Sequence, residues 1–197
     1  MDEANPSVGR PGDWFETYTG RRFHVLDPRP DDVDILDIAH SLAMQCRYNG
    51  HCTRFYSVAE HCVHLSRYVE RTAPGMASAV ALLHDAPEAY TSDVIRPIKN
   101  SFREKGLTQF DDIDRAVEAA VFRHFGMPSV AALGLPSWLK ALDTRILVDE
   151  RAVLMNPSQN AWLTDDMEPL GVRIECWQPE RAKMEFLRRA VHLGLAP

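Results

Sequence analysis

The chain lacks any long hydrophobic run, any excess of basic residues and any dense set of cysteines. Its longest apolar stretch, Met76 to Leu83, falls far short of the ~20 residues that a membrane-spanning helix needs. The cysteines Cys46, Cys52, Cys62 and Cys176 form no Cys-x-x-Cys pair, which argues against a structural zinc knuckle. A chain of 197 residues can bury a core without disulfides, so these read as reduced thiols of a cytoplasmic protein. The formal net charge of -6 argues against a dedicated nucleic-acid binder, though a local basic pocket for a small anion remains compatible with it. The first residues, Met-Asp-Glu-Ala-Asn-Pro, are acidic and have no apolar core, so no signal peptide is expected. No repeat, no low-complexity segment and no dependable series of alternating strands is present.

What is there reads as helix. Residues 1–12, with Pro6, Gly9, Pro11 and Gly12, form a loose leader. Aromatic and β-branched residues around Gly20, from Trp14 to Leu26, predict a small hairpin, with a packed N-terminal arm as the alternative. Asp31 or Asp32 can cap a helix running to about Arg47, with Ile35, Ile38, Ala39 and Leu42 at helical spacing. Asn49-Gly50 breaks it. Ser57 opens the next helix, and Glu60 three residues on completes a capping-box pattern. Val58, Cys62, Leu65 and Val69 make its apolar stripe, with His61 beside it.

Met76 to His84 is almost wholly apolar and predicts a short buried helix. Pro87 marks a break and a further turn of helix, and residues 93–99 read as a connector. Helices are predicted over about 109–125, from Pro136 to about Met155, and over about 179–193. The expected fold is an all-α, single-domain helical bundle, with an arm or hairpin over 1–30 and the bundle over 31–197.

Two stretches carry the chemistry: Ser57-Val-Ala-Glu-His61 and Leu83-His84-Asp85-Ala-Pro-Glu88. A third residue, Asp143, adjoins the buried face of its helix, four after Leu139 and three before Ile146. Imidazole and carboxylate are good ligands for divalent metals. A buried carboxylate also needs a cation or an ion-pair partner. Taken singly, each residue has a plainer reading: a hydrogen-bonded core histidine, or Asp143 paired with Arg145 or Arg151.

The order His61, then His84-Asp85, then Asp143 resembles the HD-domain metal-dependent phosphohydrolases, in which His, His-Asp and Asp lie on a bundle of helices. The resemblance covers roughly residues 31–155. It implies that His61, His84, Asp85 and Asp143 hold one divalent ion, for which the donor set suits Zn, Mn, Co, Fe or Ni. The stretch from His84 to Lys99 is similar to the compact bacterial 5′-deoxynucleotidases, and this implies catalytic roles for Glu88 and Asp93. Either could orient the water or take its proton, and Glu88 could instead hold a proton for the leaving oxygen.

The stretch from Arg47 to His61 also resembles related bacterial and phage-borne members, among them the phage dATP triphosphohydrolases. Arg47, Arg54 and Lys99 are the candidate phosphate contacts, with solvated surface charge as the alternative for the last two. The Gly-Tyr-Pro motif of the cyclic-dinucleotide branch is missing. The implied activity is hydrolysis of nucleotide phosphate esters, as a 5′-nucleotidase or a dNTP triphosphohydrolase, with a small-molecule nucleotide as partner. A homodimer is an expectation by resemblance. The competing readings are a non-catalytic nucleotide sensor and a metal-stabilised scaffold.

Overall fold

A computed structural model describes residues 9–196 and forms a mostly helical bundle with one small hairpin. Most of the predicted leader, residues 1–8, lies outside the described residues. The hairpin pairs β1 (Trp14–Glu16) antiparallel with β2 (Arg22–His24), Phe15 opposite Phe23. Gly20, at φ 81°, supplies the left-handed turn between them. Phe23 is fully buried and stacks on Tyr90 at 4.0 Å. The Asp37 carboxylate accepts from the backbone N–H and hydroxyl of Thr19. The hairpin is thereby fastened to the helical body through its turn and its second strand.

Helix α1 spans Ile35–Met44. Its cap is Asp34, whose side chain accepts from the Leu36 N–H at 2.8 Å. Asp31 and Asp32, the predicted caps, lie in a preceding 3₁₀ turn. The helix also stops short of Arg47, which instead pairs its N–H with the Tyr56 carbonyl in an extended segment. Helix α2 (Val58–Glu70) starts at Ser57 as the sequence predicts, with Ser57 Oγ accepting from Glu60 N–H at 3.1 Å. The reciprocal half of the capping box does not form. The Glu60 carboxylate is fully buried and accepts from the N–H groups of Glu175, Cys176 and Trp177 at 2.9, 2.9 and 2.5 Å. Three backbone donors close together bind a carboxylate better than one at the cap does.

Helix α3 (Met76–Leu83) is buried on most sides, and the chain turns immediately after it into the four-residue α4 (Glu88–Thr91). Next come α5 (Arg96–Glu104), α6 (Gln109–His124), α7 (Pro128–Leu133), α8 (Ser137–Leu154) and α9 (Pro179–His192). Helix α5 replaces the predicted connector. None of its residues is buried, although Ile98 and Phe102 share one face. Helix α7 was not foreseen, because Pro128 reads as a terminator and here starts a new helix.

Helix α2 sits at the middle, packed by α1, α3, α8 and α9. Leu42, Leu65, Leu82, Leu83, Phe122 and Phe186 are fully buried in this core. Each such side chain stabilises the fold by roughly 1.5–3 kcal/mol. Arg189 of α9 is buried and reaches Ser66 and Glu70 of α2, so the contact between these helices is polar as well as apolar. Among the described residues, no helix is long and apolar enough to cross a membrane.

Candidate metal centre

Three elements deliver the four predicted ligands to one place. His61 lies on α2, His84 and Asp85 follow the last residue of α3, and Asp143 lies on α8. Adjacent residues on a continuing helix face apart. Here α3 ends at Leu83, and successive turns (Ala86 N–H to Leu83 O, Glu88 N–H to Asp85 O) let both side chains converge. The His61 and His84 Nε2 atoms are 3.1 Å apart. Asp85 Oδ2 lies 3.6 Å from the first and 3.2 Å from the second. Asp143 Oδ1 lies 3.1 and 3.8 Å from the same two atoms. Ligand atoms about 2.0–2.2 Å from a shared ion sit roughly 3.0–3.5 Å from each other, so these separations suit one. His61, His84 and Asp85 form a group that could hold a metal ion, and Asp143 adjoins it.

The hydrogen bonds behind the imidazoles sharpen the fit. His84 Nδ1 is 2.9 Å from the Ala81 carbonyl, and His61 Nδ1 is 2.6 Å from Glu150 Oε1. A carbonyl and a carboxylate only accept, so each Nδ1 carries the hydrogen and each neutral ring turns an Nε2 lone pair inward. Two lone pairs and two carboxylates then face one point, an arrangement that calls for a cation.

In the metal-free protein protons answer that demand. Burial lowers the His84 pKa, but Asp85 and the other acceptors raise it well above the usual value. Burial and the Arg47 charge lower that of His61, and Glu150 and Asp143 more than reverse this. Burial raises the Asp85 carboxyl, yet the imidazoles of His84 and His61 hold it at about 2. Asp143 is likewise held well below the usual range, burial being outweighed by His61 and His84.

Asp85 and Asp143 also line a cleft of about 690 Å³ together with Arg47, Tyr48, His51, Glu88, Asp93 and Lys99. Burial, then the charges of Asp85 and Asp93, push the Glu88 carboxyl well above its usual range. Its Oε2 is buried with no partner. Asp93 is raised by burial too, with Arg47 opposing. The Asp93 backbone follows Ser92, which takes a left-handed φ of 71°.

Arg47 is nearly buried and lies 3.4 Å from both Asp85 and Glu150. Lys99 reaches the cleft wall with Nζ 3.3 Å from Asp114. Arg54 is elsewhere. It is exposed, touches the Glu175 carbonyl at 3.5 Å and is not among the residues of the cleft wall. His64 bonds Glu60 at 3.2 Å and packs on Trp177. The other suggested partners of Asp143 are engaged elsewhere, Arg145 on the Glu168 and Pro169 carbonyls and Arg151 on Asp165.

Two residues escaped the sequence reading. Gln45 donates to the Glu88 carbonyl at 2.9 Å and accepts from Asp93 N–H at 2.9 Å, so one side chain clamps both ends of the segment between them. Nothing in the pattern marks it. Glu150 follows Asp143 by seven residues, two helical turns, and that spacing was a readable sign of a shared face.

The fold and the site together define a helical-bundle protein with a candidate metal centre beside a cleft. No family model matches the chain. It is 41% identical over 136 residues to an uncharacterized protein of Rhodobacter capsulatus, covering 66% of this chain and 67% of that one. It is 32% identical over 149 residues to the uncharacterized protein YfdR of Escherichia coli K12, covering 76% of each. The chain belongs to the family of these two proteins.

Proposed function

We propose that this protein is a metal-dependent phosphohydrolase of the HD-domain type, acting in the cytoplasm on phosphate esters of nucleotides. The observation that carries the reading is the convergence of two inward-facing imidazole lone pairs with Asp85 and Asp143 beside a cleft that also holds Glu88, Asp93 and Arg47. His61, His84, Asp85 and Asp143 would hold the ion. A divalent cation there supplies Lewis-acid polarisation of a phosphoryl oxygen and acidifies water. Arg47 offers a planar guanidinium to the remaining phosphate oxygens, and Lys99 a point charge further along the wall.

The two acids divide the proton work. Glu88, unpartnered and pushed up, keeps its proton and gives it to the leaving oxygen. Asp93 is raised less far and opposed by Arg47, so it orients water and accepts its proton. Gln45 holds the backbone of both in register.

The test is a product assay on protein loaded in turn with Mn, Co or Zn and given deoxynucleoside and ribonucleoside mono- and triphosphates. Nucleoside and inorganic phosphate from monophosphates alone define a nucleotidase. Nucleoside and tripolyphosphate define a triphosphohydrolase. No turnover with any metal, or full turnover after Glu88→Gln and Asp93→Asn, refutes the reading.

A further inference from the structure

We propose that Glu150 is the positioning residue of the metal centre: it holds His61 as the Nδ1–H tautomer and turns its Nε2 toward His84, Asp85 and Asp143. This rests on the metal-binding reading of the site. Glu150 is fully buried on α8 and does not itself line the cleft. A buried carboxylate costs several kcal/mol unless it is paired and hydrogen-bonded. Its Oε1 takes the His61 Nδ1 hydrogen at 2.6 Å, and its Oε2 accepts from the Tyr48 hydroxyl and faces Arg47 Nε at 3.4 Å. Its hydrogen bonds go to His61 of the centre and to Tyr48 beside it, and its ion pair to Arg47.

The two histidines differ in how they are held. His84 Nδ1 is fixed by the carbonyl of Ala81, three residues back on its own helix. That bond is local, within one turn of chain. His61 has no local partner, and its Nδ1 depends on a residue 89 positions later in the chain. Remove the carboxylate and nothing else in its contacts selects the tautomer that presents Nε2 inward, since Asp143 Oδ1 at 3.1 Å would equally accept an Nε2–H. Outer partners of this kind typically govern metal affinity by about 10–100-fold.

Glu150→Gln removes the charge while keeping the volume, and its amide can turn an N–H toward Nδ1 and force the other tautomer. Glu150→Asp restores the carboxylate on a shorter stem. Metal affinity, measured by competition with a chromophoric chelator, is expected to fall about 10–100-fold in Glu150→Gln and to recover in part in Glu150→Asp. Proton–nitrogen correlation spectra of the metal-free wild type at alkaline pH are expected to show His61 as Nδ1–H, and those of Glu150→Gln to show a shift toward Nε2–H. Unchanged affinity with an unchanged tautomer in a folded Glu150→Gln overturns the proposal. So does an Nε2–H His61 in the wild type, a result that stands even if the variants fail to fold. A wild type that binds no divalent ion yet shows the Nδ1–H tautomer sinks the metal reading and leaves the hold of Glu150 on His61 intact.

Discussion

Raising the pH of the metal-free protein from about 6 to about 8 should loosen its fold while tightening its grip on a divalent ion, and both trends come from the same two histidines. The His61 and His84 pKa values are raised in the folded state above the ordinary 6.5. A raised pKa means that the native state holds protons the unfolded chain would release. The resulting stabilisation is fully present below about pH 6.5 and is lost as pH climbs through the folded values. Glu88 acts in the same direction from its own, lower starting point near 4.5. Metal binding follows the opposite course, because the ion must displace those protons. Each one displaced weakens apparent affinity about tenfold per unit of pH below its folded pKa.

Asp85, at about 2, and Asp143, well below the usual range, stay ionised and add no slope. Lowering the pH from about 8 should therefore weaken affinity, by about tenfold per unit of pH for each histidine that lies below its folded pKa. At a metal concentration a hundred times the Kd, loading stabilises by about 2.7 kcal/mol. For a chain of this size that is a rise in Tm of about 5–11 °C. Differential scanning calorimetry of chelated and loaded protein across this range measures both. Coincident melting at about pH 8, or a gap that narrows as pH rises, would refute the reasoning.

Three further outcomes are expected. Glu60→Gln sets an amide N–H₂ against three backbone donors and should cost about 3–5 kcal/mol in urea unfolding, and a loss under about 1 kcal/mol would show that these bonds are dispensable. Gln45→Ala frees the Glu88–Asp93 segment, so turnover should fall at least about tenfold while metal affinity, read by chelator competition, stays put; a parallel loss of both would place Gln45 in the metal site instead. Lys99→Ala should raise KM several-fold and Arg54→Ala should not, because only the first lies on the cleft wall.

The helical class was legible because its elements have local signatures, whereas the grouping of His61, His84 and Asp85 was expected only from the order of motifs that resembles the HD-domain enzymes. Ser57 caps α2, an apolar octet makes α3, and His-Asp sits where that apolar run ends. What the sequence concealed lies at long range. Asp34 rather than Asp31 or Asp32 caps α1, since a 3₁₀ turn consumes the residues before it. Glu60 forsakes its own cap for donors 115 to 117 positions away, a choice no local pattern encodes. Helix α5 and its cap carry Ile95, Ile98 and Phe102 at helical spacing, a readable stripe, but the helix buries no residue and its sequence reads as a connector. Glu150 differs, because its seven-residue distance from Asp143 was visible and its burial was not.

Neighbouring residues on α2 are fastened to late parts of the chain: Glu60 to the backbone of residues 175–177, and His61 to Glu150. A ribosome makes the chain from the other end. When α2 emerges, neither anchor exists, and Asp143 is still to come. The nascent N-terminal portion therefore has ligands without a centre, and a cysteine-bearing, histidine-rich segment waits through most of synthesis before it can select a metal. On the proposed metal-binding reading, the choice of ion belongs to the finished fold, after translation has passed residue 177, when geometry rather than the mere presence of histidines would decide which ion is kept.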